Sequence, residues 1–494
     1  MTTKVRVRFA PSPTGMLHIG GLRTALFNYL FAKHNGGDFI LRIEDTDQNR
    51  YVESAEKDIT DALKWAGMMY DEGPDVAGNV GPYRQSERSV LYKKYADQLI
   101  EQDHAYYAFD TTDEIEQMRE RLQKSGNPSP KYDSITRMSM KNSLTLSKDE
   151  VQKRLDAGDE YVVRLKVPRR DTIKFTDIIR GVVSFNSAGL DDQVLIKSDG
   201  LPTYHLANVV DDHTMEVTHV IRGEEWLSSA PKHILLYEYL GWEPPQMAHL
   251  PLIMSPAGGK LSKRNAEELG IPVNVRDYIK GNYEPEALIN FLALLGWNPG
   301  DDRELFTMEE LISEFDLHRV SKAGAVFNLQ KLLWFNEHYM RSRSNEDLMV
   351  NFKKDIEASG LVVPSDAFLL KVIELMKERV SNATELFTLG KYYFEAPTEF
   401  DEKTTAKAWK GDAPALVNEY ASSIRETDDY SAANLKAILT QLVESKGLGF
   451  GKVMLPVRLA VTGMGFGPDL FETLELLGKE EVDRRLTHAA NTLS

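Results

Sequence analysis

Val5-Arg6-Val7-Arg8-Phe9-Ala10-Pro11-Ser12-Pro13-Thr14-Gly15-Met16-Leu17-His18-Ile19-Gly20-Gly21 is the stretch that decides the fold. Val5, Val7 and Phe9 alternate with Arg6 and Arg8, the period-two pattern of a strand, and Pro11, Pro13 and Gly15 break it into a loop. From His18 the spacing becomes helical, with Leu22, Leu26, Tyr29 and Lys33 on one face, until Gly36-Gly37 stops it. Phe39-Ile40-Leu41-Arg42-Ile43 then reads as a short buried strand. Strand, helix and strand within about 40 residues make a βαβ unit, so the core is expected to be a parallel sheet with helices on its faces.

Outward from this unit the character changes. Residues 106–198 mix a polar helical stretch, a Ser/Pro/Lys-rich loop (124–130) and the strand-like runs 161–167 and 181–185, and read as an inserted α+β domain. Alternating α/β character returns after 199, helical periodicity dominates from about 275, and few strand signals follow 330. At 494 residues the chain is too long for one ordinary core. It contains no cysteine, which removes disulfides, thiolate zinc sites and cysteine nucleophiles. The N-terminal residues lack the apolar run of a signal peptide, and no apolar stretch approaches membrane-spanning length. A soluble, cytoplasmic, multidomain protein is expected.

Two segments carry chemistry. The loop from Arg8 to Gly15, followed by His18-Ile19-Gly20-Gly21, lies between a strand's C-terminal end and a helix N-terminus. That is where a parallel α/β fold binds anions, and a histidine there can donate to developing phosphoryl charge. Taken alone, the same residues also read as a tight turn with a capping histidine. The second segment, Ser255-Pro256-Ala257-Gly258-Gly259-Lys260-Leu261-Ser262-Lys263-Arg264, places three cations and no acid behind a glycine pair. Such a loop could bring ammonium groups to a leaving pyrophosphate; taken alone, it equally describes a solvated basic loop.

In this order the two motifs resemble the paired HIGH and KMSKS signatures of the class I aminoacyl-tRNA synthetases. The chain departs from both, with HIGG and KLSKR, as the glutamyl branch commonly does. RFAPSPTG, RIEDTDQNR (42–50), PTYHLANVVDD (202–212) and VIRGEEWL (220–227) resemble the bacterial members of that branch, and the likeness runs the length of the chain. The resemblance implies an α/β fold: a Rossmann-type catalytic domain in two halves (1–105 and 199–255) around an acceptor-end-binding α+β insertion (106–198). A stem-contact region with the KLSKR loop (256–330) and an all-α anticodon-binding region (331–494) follow.

The implied activity is ATP-dependent attachment of glutamate to tRNA-Glu through a glutamyl-adenylate, with activation usually requiring bound tRNA. Arg8 would recognise the side-chain carboxylate, since a guanidinium pairs bidentately with a planar anion. Glu44 would accept from the α-ammonium, with Ala10, Ser12, Tyr204, Asn208 and Arg222 completing the glutamate pocket. ATP would be held by Gly15, His18, Gly20, Gly21, Glu225, Trp226, Leu252, Ile253, Lys260, Ser262 and Lys263. Of these, His18, Lys260 and Lys263 would stabilise the reacting phosphates. Mg²⁺ is expected to travel with ATP. Asp47, Arg164, Lys166, Arg458 and Thr462 are the candidate tRNA contacts. Many relatives carry a zinc-binding cysteine cluster near 105–110; none is present here, so no zinc is expected. Asp211-Asp212-His213 resembles a metal cluster but reads better as structural ion pairing, and Gly447 to Lys452 lacks the strand that a phosphate loop needs. A monomer is the family expectation.

Competing readings are a glutaminyl enzyme, a ligase that glutamylates a modified tRNA base, a small nucleotidyltransferase and a non-catalytic RNA-binding paralogue. Gly21, the helical tail and the chain length weigh against the first three, and the intact set of Arg8, His18, Glu44, Arg222, Lys260 and Lys263 against the last. The formal charge of −16 alone would argue against a polyanionic partner. It is unevenly spread: residues 161–180 hold six Lys/Arg and two Asp, whereas 301–316 hold seven acids and one Arg. A locally basic track on an acidic body is expected.

Overall fold

The strands Arg6–Phe9 and Asp38–Leu41 pair in parallel, from Arg6 opposite Asp38 to Phe9 opposite Leu41, with the helix Ile19–His34 crossing between them. The computed structural model describes residues 4–493. One helical face was expected to be buried. Instead Ile19, Leu22, Leu26, Phe27 and Leu30 are buried together with Arg23 and Asn28, while Tyr29 and Lys33 are only half-buried. A helix covered on several sides must satisfy its polar groups internally. Asn28 Nδ2 donates to the Ile221 carbonyl at 3.0 Å, and Arg23 donates to the carbonyls of Leu295 and Pro251.

The Arg6 carbonyl accepts from the Thr218 N–H at 2.9 Å, which sets His219–Gly223 beside the first strand. His219–Gly223 runs parallel to Gln246–Leu250, and Thr172–Asp177 joins the far side of Gln246–Leu250 through Asp177 opposite Met247. Thr172–Asp177 is in turn antiparallel to Gly181–Asn186. Part of the 106–198 segment therefore extends the parallel sheet. The rest of its strands, Val162–Leu165 and Val194–Ile196, make an antiparallel sheet with Ala105–Ala108. That sheet shares one apolar core, including Val163, Leu165 and Leu195, with Leu99, Val210 and Leu236 from the helices Ser89–Glu101, Tyr204–Thr214 and Ala230–Leu240.

The chain divides into two compact units: residues up to Tyr278 with Leu288–Leu329, and Ile279–Ala287 with the residues from Gln330 onward. Among the described residues no strand follows Ala325–Val326, and the second unit is helical through Lys479–Thr492. Its helices bury apolar faces in two cores, one around Phe352, Leu369 and Ile373, the other around Tyr420, Leu439, Val457 and Leu486. Ser344, Ser365, Ser431 and Asp469 cap the helices that follow them by accepting from first-turn N–H groups. Among the described residues no helix is long and apolar enough to cross a membrane.

Candidate active site

A cavity of about 530 Å³ opens at the C-terminal end of Arg6–Phe9 and over the N-terminus of Ile19–His34. Around it the chain brings together Arg8, Ala10, Ser12, Gly15, His18, Gly20 and Gly21 from the opening segment, and Glu44, Tyr204, Asn208 and Arg222 from the surrounding elements. Glu225, Trp226, Leu252, Ile253, Lys260 and Lys263 line its other side. This location follows from the fold: parallel strands leave their carboxyl ends and the next helix's free N–H groups around one crevice.

His18 is the N-cap of its helix, and Nδ1 accepts from the Gly21 N–H at 3.0 Å. An N–H donor on Nδ1 places the ring proton on Nε2, which is left free to donate. A side chain on Gly20 would crowd this ring, its Cβ falling 3.0 Å from His18 Nδ1. The imidazole is open to the cavity, yet its desolvating surroundings, with Lys260 and Lys263 adding, lower its pKa against the pull of Glu225.

Arg8 lines this cavity. It is buried, because the strand is covered on both faces, and it donates from Nε to Asp212 Oδ1 (2.9 Å) and from Nη2 to Asn208 Oδ1 (3.1 Å) and Asp212 Oδ2 (3.3 Å). Among the described residues no hydrogen bond of Nη1 is seen. Arg42, fully buried, donates to Asp212 Oδ1 (2.6 Å), Glu44 Oε1 (3.1 Å) and Asn208 Oδ1 (3.1 Å). Two obligate donors on Asn208 Oδ1 fix that amide, leaving Nδ2 to donate. Behind them Asp211 accepts from Arg88 Nε (2.7 Å), Gln85 Nε2 (2.8 Å) and the Tyr92 hydroxyl (2.9 Å). Adjacent Asp211 and Asp212 thus serve ion pairs with Arg8, Arg42 and Arg88. Burial pushes the Glu44 carboxyl pKa up, opposed by Arg42 and Arg8.

Arg222 is buried and donates from Nη1 to the Tyr204 hydroxyl at 2.9 Å and from Nε to His249 Nε2 at 3.1 Å. The Tyr204 ring lies 4.3 Å from the ring of Trp226, which is 40% exposed and forms a wall of the cavity. The basic segment is a hairpin rather than an open loop: the Ser255 N–H donates to the Gly259 carbonyl and the Leu261 N–H to the Ile253 carbonyl, both at 2.9 Å. Gly258 (φ 93°) and Gly259 (φ 73°) supply the left-handed turn. Lys260 Nζ stands 3.9 Å from Glu225 Oε1.

Several expected residues lie elsewhere. Ser262 does not line the cavity; its hydroxyl caps the helix Lys263–Glu268. Arg164, expected as a tRNA contact, is buried, donates to the Asp192 carbonyl at 3.0 Å and stacks over the Tyr132 ring at 4.0 Å. Arg458 and Thr462, expected likewise, lie inside: Arg458 is buried and donates to the Pro468 carbonyl at 2.8 Å, and the buried Thr462 hydroxyl donates to the Arg458 carbonyl at 2.8 Å. Lys166 is partly exposed and paired with Asp103 at 2.6 Å, and Asp47 is exposed and paired with Arg50 at 2.6 Å. Behind the lining, Arg42 touches Glu44 and Asn208, His233 and His249 touch Arg222, and Asp177 touches His249; nothing in their local sequence marks these partners.

Residues 4–334 match the family described as tRNA synthetases class I (E and Q), catalytic domain, and residues 347–490 match an anticodon binding domain. A glutamate–tRNA ligase of Cytophaga hutchinsonii is 51% identical over 99% of this chain and 98% of its own length. One of Parabacteroides distasonis is 51% identical over 99% of each. The crystal structure of a glutamate–tRNA ligase from Elizabethkingia meningosepticum, in complex with its amino acid, is similar with a TM-score of 0.92, at 48% identity over 99% of this chain and all of that one. With its mixed α/β catalytic unit followed by a helical region, the chain belongs to the bacterial glutamate–tRNA ligase family of class I aminoacyl-tRNA synthetases.

Proposed function

We infer that this chain is a glutamate–tRNA ligase that activates glutamate with ATP at this cavity and transfers it to the 3′-terminal adenosine of tRNA-Glu. The observation that carries the reading is the placement, on one cavity, of two buried guanidiniums beside His18, Lys260 and Lys263. Arg8 Nη1 and Asn208 Nδ2 supply donors for the side-chain carboxylate, while Glu44 accepts from the α-ammonium. Arg222 supplies the cation for the second carboxylate. An amide in place of the side-chain carboxylate would turn N–H groups toward donors, which is how the site would reject glutamine.

The α-carboxylate attacks the α-phosphorus of ATP in line, giving glutamyl-adenylate and releasing pyrophosphate. The 3′-terminal adenosine hydroxyl of tRNA then attacks the activated carbonyl and releases AMP. Neither step needs a covalent bond to the protein; the chain positions the reactants and places donors where charge develops. His18 Nε2–H donates to the α-phosphoryl oxygens, and Lys260 and Lys263 to the leaving pyrophosphate. Mg²⁺ neutralises phosphate charge when ATP carries it in. Among the described residues no group of three or more His, Asp or Glu side chains is placed to hold a metal, so the nucleotide's phosphates would be its main ligands. With no cysteine in the chain, a zinc site of the thiolate type has no ligands.

Lys166 and Asp47 remain the proposed tRNA contacts, and a cytoplasmic monomer the proposed setting. Purified protein with labelled glutamate and either tRNA-Glu or tRNA-Gln tests the reading. Charging of tRNA-Glu with glutamate and ATP–pyrophosphate exchange that requires glutamate are expected; exchange supported by glutamine would overturn it.

A further inference from the structure

Arg222 is held by two imidazoles, a phenol and, at 3.5 Å, the Trp226 carbonyl, and among the described residues no carboxylate is seen to pair with it. A guanidinium only donates, so each ring nitrogen facing it must be an unprotonated lone pair. His249 Nε2 accepts from Arg222 Nε at 3.1 Å, which puts the His249 proton on Nδ1, 2.6 Å from Asp177 Oδ2. His233 Nδ1 faces Arg222 Nη1 at 3.3 Å, which puts its proton on Nε2, 3.2 Å from His205 Nδ1. Burial lowers the pKa of both imidazoles and Arg222 adds to this, against the pull of Asp177 on His249, in keeping with the lone pair that each ring turns toward the guanidinium.

Asp177 is 1% exposed, and its two oxygens have different main partners, although the His249 N–H also reaches Oδ1 at 3.4 Å. Oδ1 takes the Ile179 and Arg180 N–H groups at 3.0 and 2.8 Å, closing the turn after Thr172–Asp177. Oδ2 takes His249, from the backbone at 3.1 Å and from the ring. Resting on the reading of Arg222 as a glutamate-binding residue, we propose that Asp177 and His249 are positioning residues for it. Asp177 fixes the His249 tautomer, and His249 fixes the plane of the guanidinium through Nε, so that the pocket's second cation meets the substrate in one orientation. An Asn at 177 cannot serve both roles. If its amide nitrogen faces His249 it donates to Nδ1, which forces the proton to Nε2 and sets it against Arg222; if it faces the turn it meets two N–H donors.

The test combines kinetics with histidine-selective ¹⁵N NMR on the full chain. Asp177→Asn should lower kcat/KM for glutamate roughly tenfold to a hundredfold, as loss of an outer-shell partner does, and move the His249 signal from the Nδ1–H to the Nε2–H form. KM for ATP should stay within about twofold. A loss carried by the turn alone would fall on ATP instead, because Arg180 donates to Glu224 Oε2 at 2.5 Å and Glu224 Oε1 accepts from the Leu252 N–H at 2.9 Å. That outcome overturns the proposal. Should Asp177→Asn not fold, His249→Gln, whose amide oxygen can accept from Arg222, should lose less glutamate kcat/KM than His249→Leu; equal losses overturn it. Arg222→Gln separates the two readings. Impaired glutamate use in Arg222→Gln with normal use in Asp177→Asn sinks the positioning role alone, whereas normal use in Arg222→Gln sinks the pocket assignment and this proposal with it.

Discussion

Replacing Asp212 with Asn removes one negative charge from the wall behind the glutamate pocket. Asp212 is fully buried and accepts from Arg8 Nε at 2.9 Å, Arg8 Nη2 at 3.3 Å and Arg42 Nη1 at 2.6 Å. Asn keeps one acceptor oxygen and turns an NH₂ group toward a guanidinium, so two buried cations lose a counter-ion and one contact becomes donor against donor. Breaking a buried pair from one side costs about 3–5 kcal/mol. The lower end is expected, because Asn208 Oδ1 still accepts from both guanidiniums and Asp211 lies 3.8 Å from Arg42 Nε. About 3 kcal/mol at roughly 2 °C per kcal/mol, the value for large domains, lowers the melting temperature by about 6 °C. KM for glutamate should rise in parallel, since Arg8 loses the anchor that orients Nη1. The pH dependence has a definite sign. The two guanidiniums hold the Asp212 carboxyl below its ordinary 3.8 despite burial, so the stabilisation is complete above that ordinary value and fades as pH falls through the lower, folded one. Melts followed by circular dichroism should show the full gap between wild type and Asp212→Asn at pH 7 and pH 5, narrowing only below about pH 4. A variant that melts within about 1 °C of wild type, with unchanged glutamate KM, would refute the reasoning.

Three further outcomes follow from other parts of the site. His18→Asn keeps an N-cap acceptor but loses the Nε2–H donor, so kcat should fall about 10²–10³-fold with little change in melting temperature. Because the surroundings lower the His18 pKa, any acid limb of the kcat profile that this variant removes should lie below the ordinary 6.5. Lys263→Ala should lower turnover with a small effect on tRNA affinity measured by filter binding; loss of affinity alone would make the hairpin a tRNA contact only. Arg458→Ala should destabilise the chain by about 1.5–3 kcal/mol, the worth of a buried charge-assisted bond, with anticodon preference in charging assays unchanged.

The parts of the site legible in the sequence were those written in consecutive residues. The strand–loop–helix from Arg8 to Gly21 carries its own geometry, since alternation, prolines and glycines fix the backbone before any tertiary contact forms. Glu44, Tyr204, Asn208 and Arg222 became legible only through whole motifs. What supports them could not be read, because the bonds are long in sequence: Arg8 to Asp212 spans 204 residues and His249 to Asp177 spans 72. The burial of Arg164 and Arg458 was illegible for a related reason. A basic residue in a basic segment looks the same whether it meets phosphate or the interior, and here Arg164 meets a carbonyl and a ring face while Arg458 meets a carbonyl.

The division of the chain has a consequence for how such enzymes can be recombined. The helical unit owns nine residues, Ile279–Ala287, that precede the end of the catalytic unit in sequence. Glu284 among them donates its N–H to Asn336 Oδ1 at 2.8 Å and pairs with Arg343 at 2.7 Å, and Asn282 donates to the Thr384 hydroxyl at 3.0 Å. The polypeptide therefore passes between the two units three times, at 278/279, 287/288 and 329/330. A chimera spliced at the last junction alone would fold a foreign helical module around a native wedge, with Glu284 nearly buried and its guanidinium gone. Exchange of the anticodon-reading half between relatives needs two grafts that travel together, so the boundary behaves as a clasp rather than a seam.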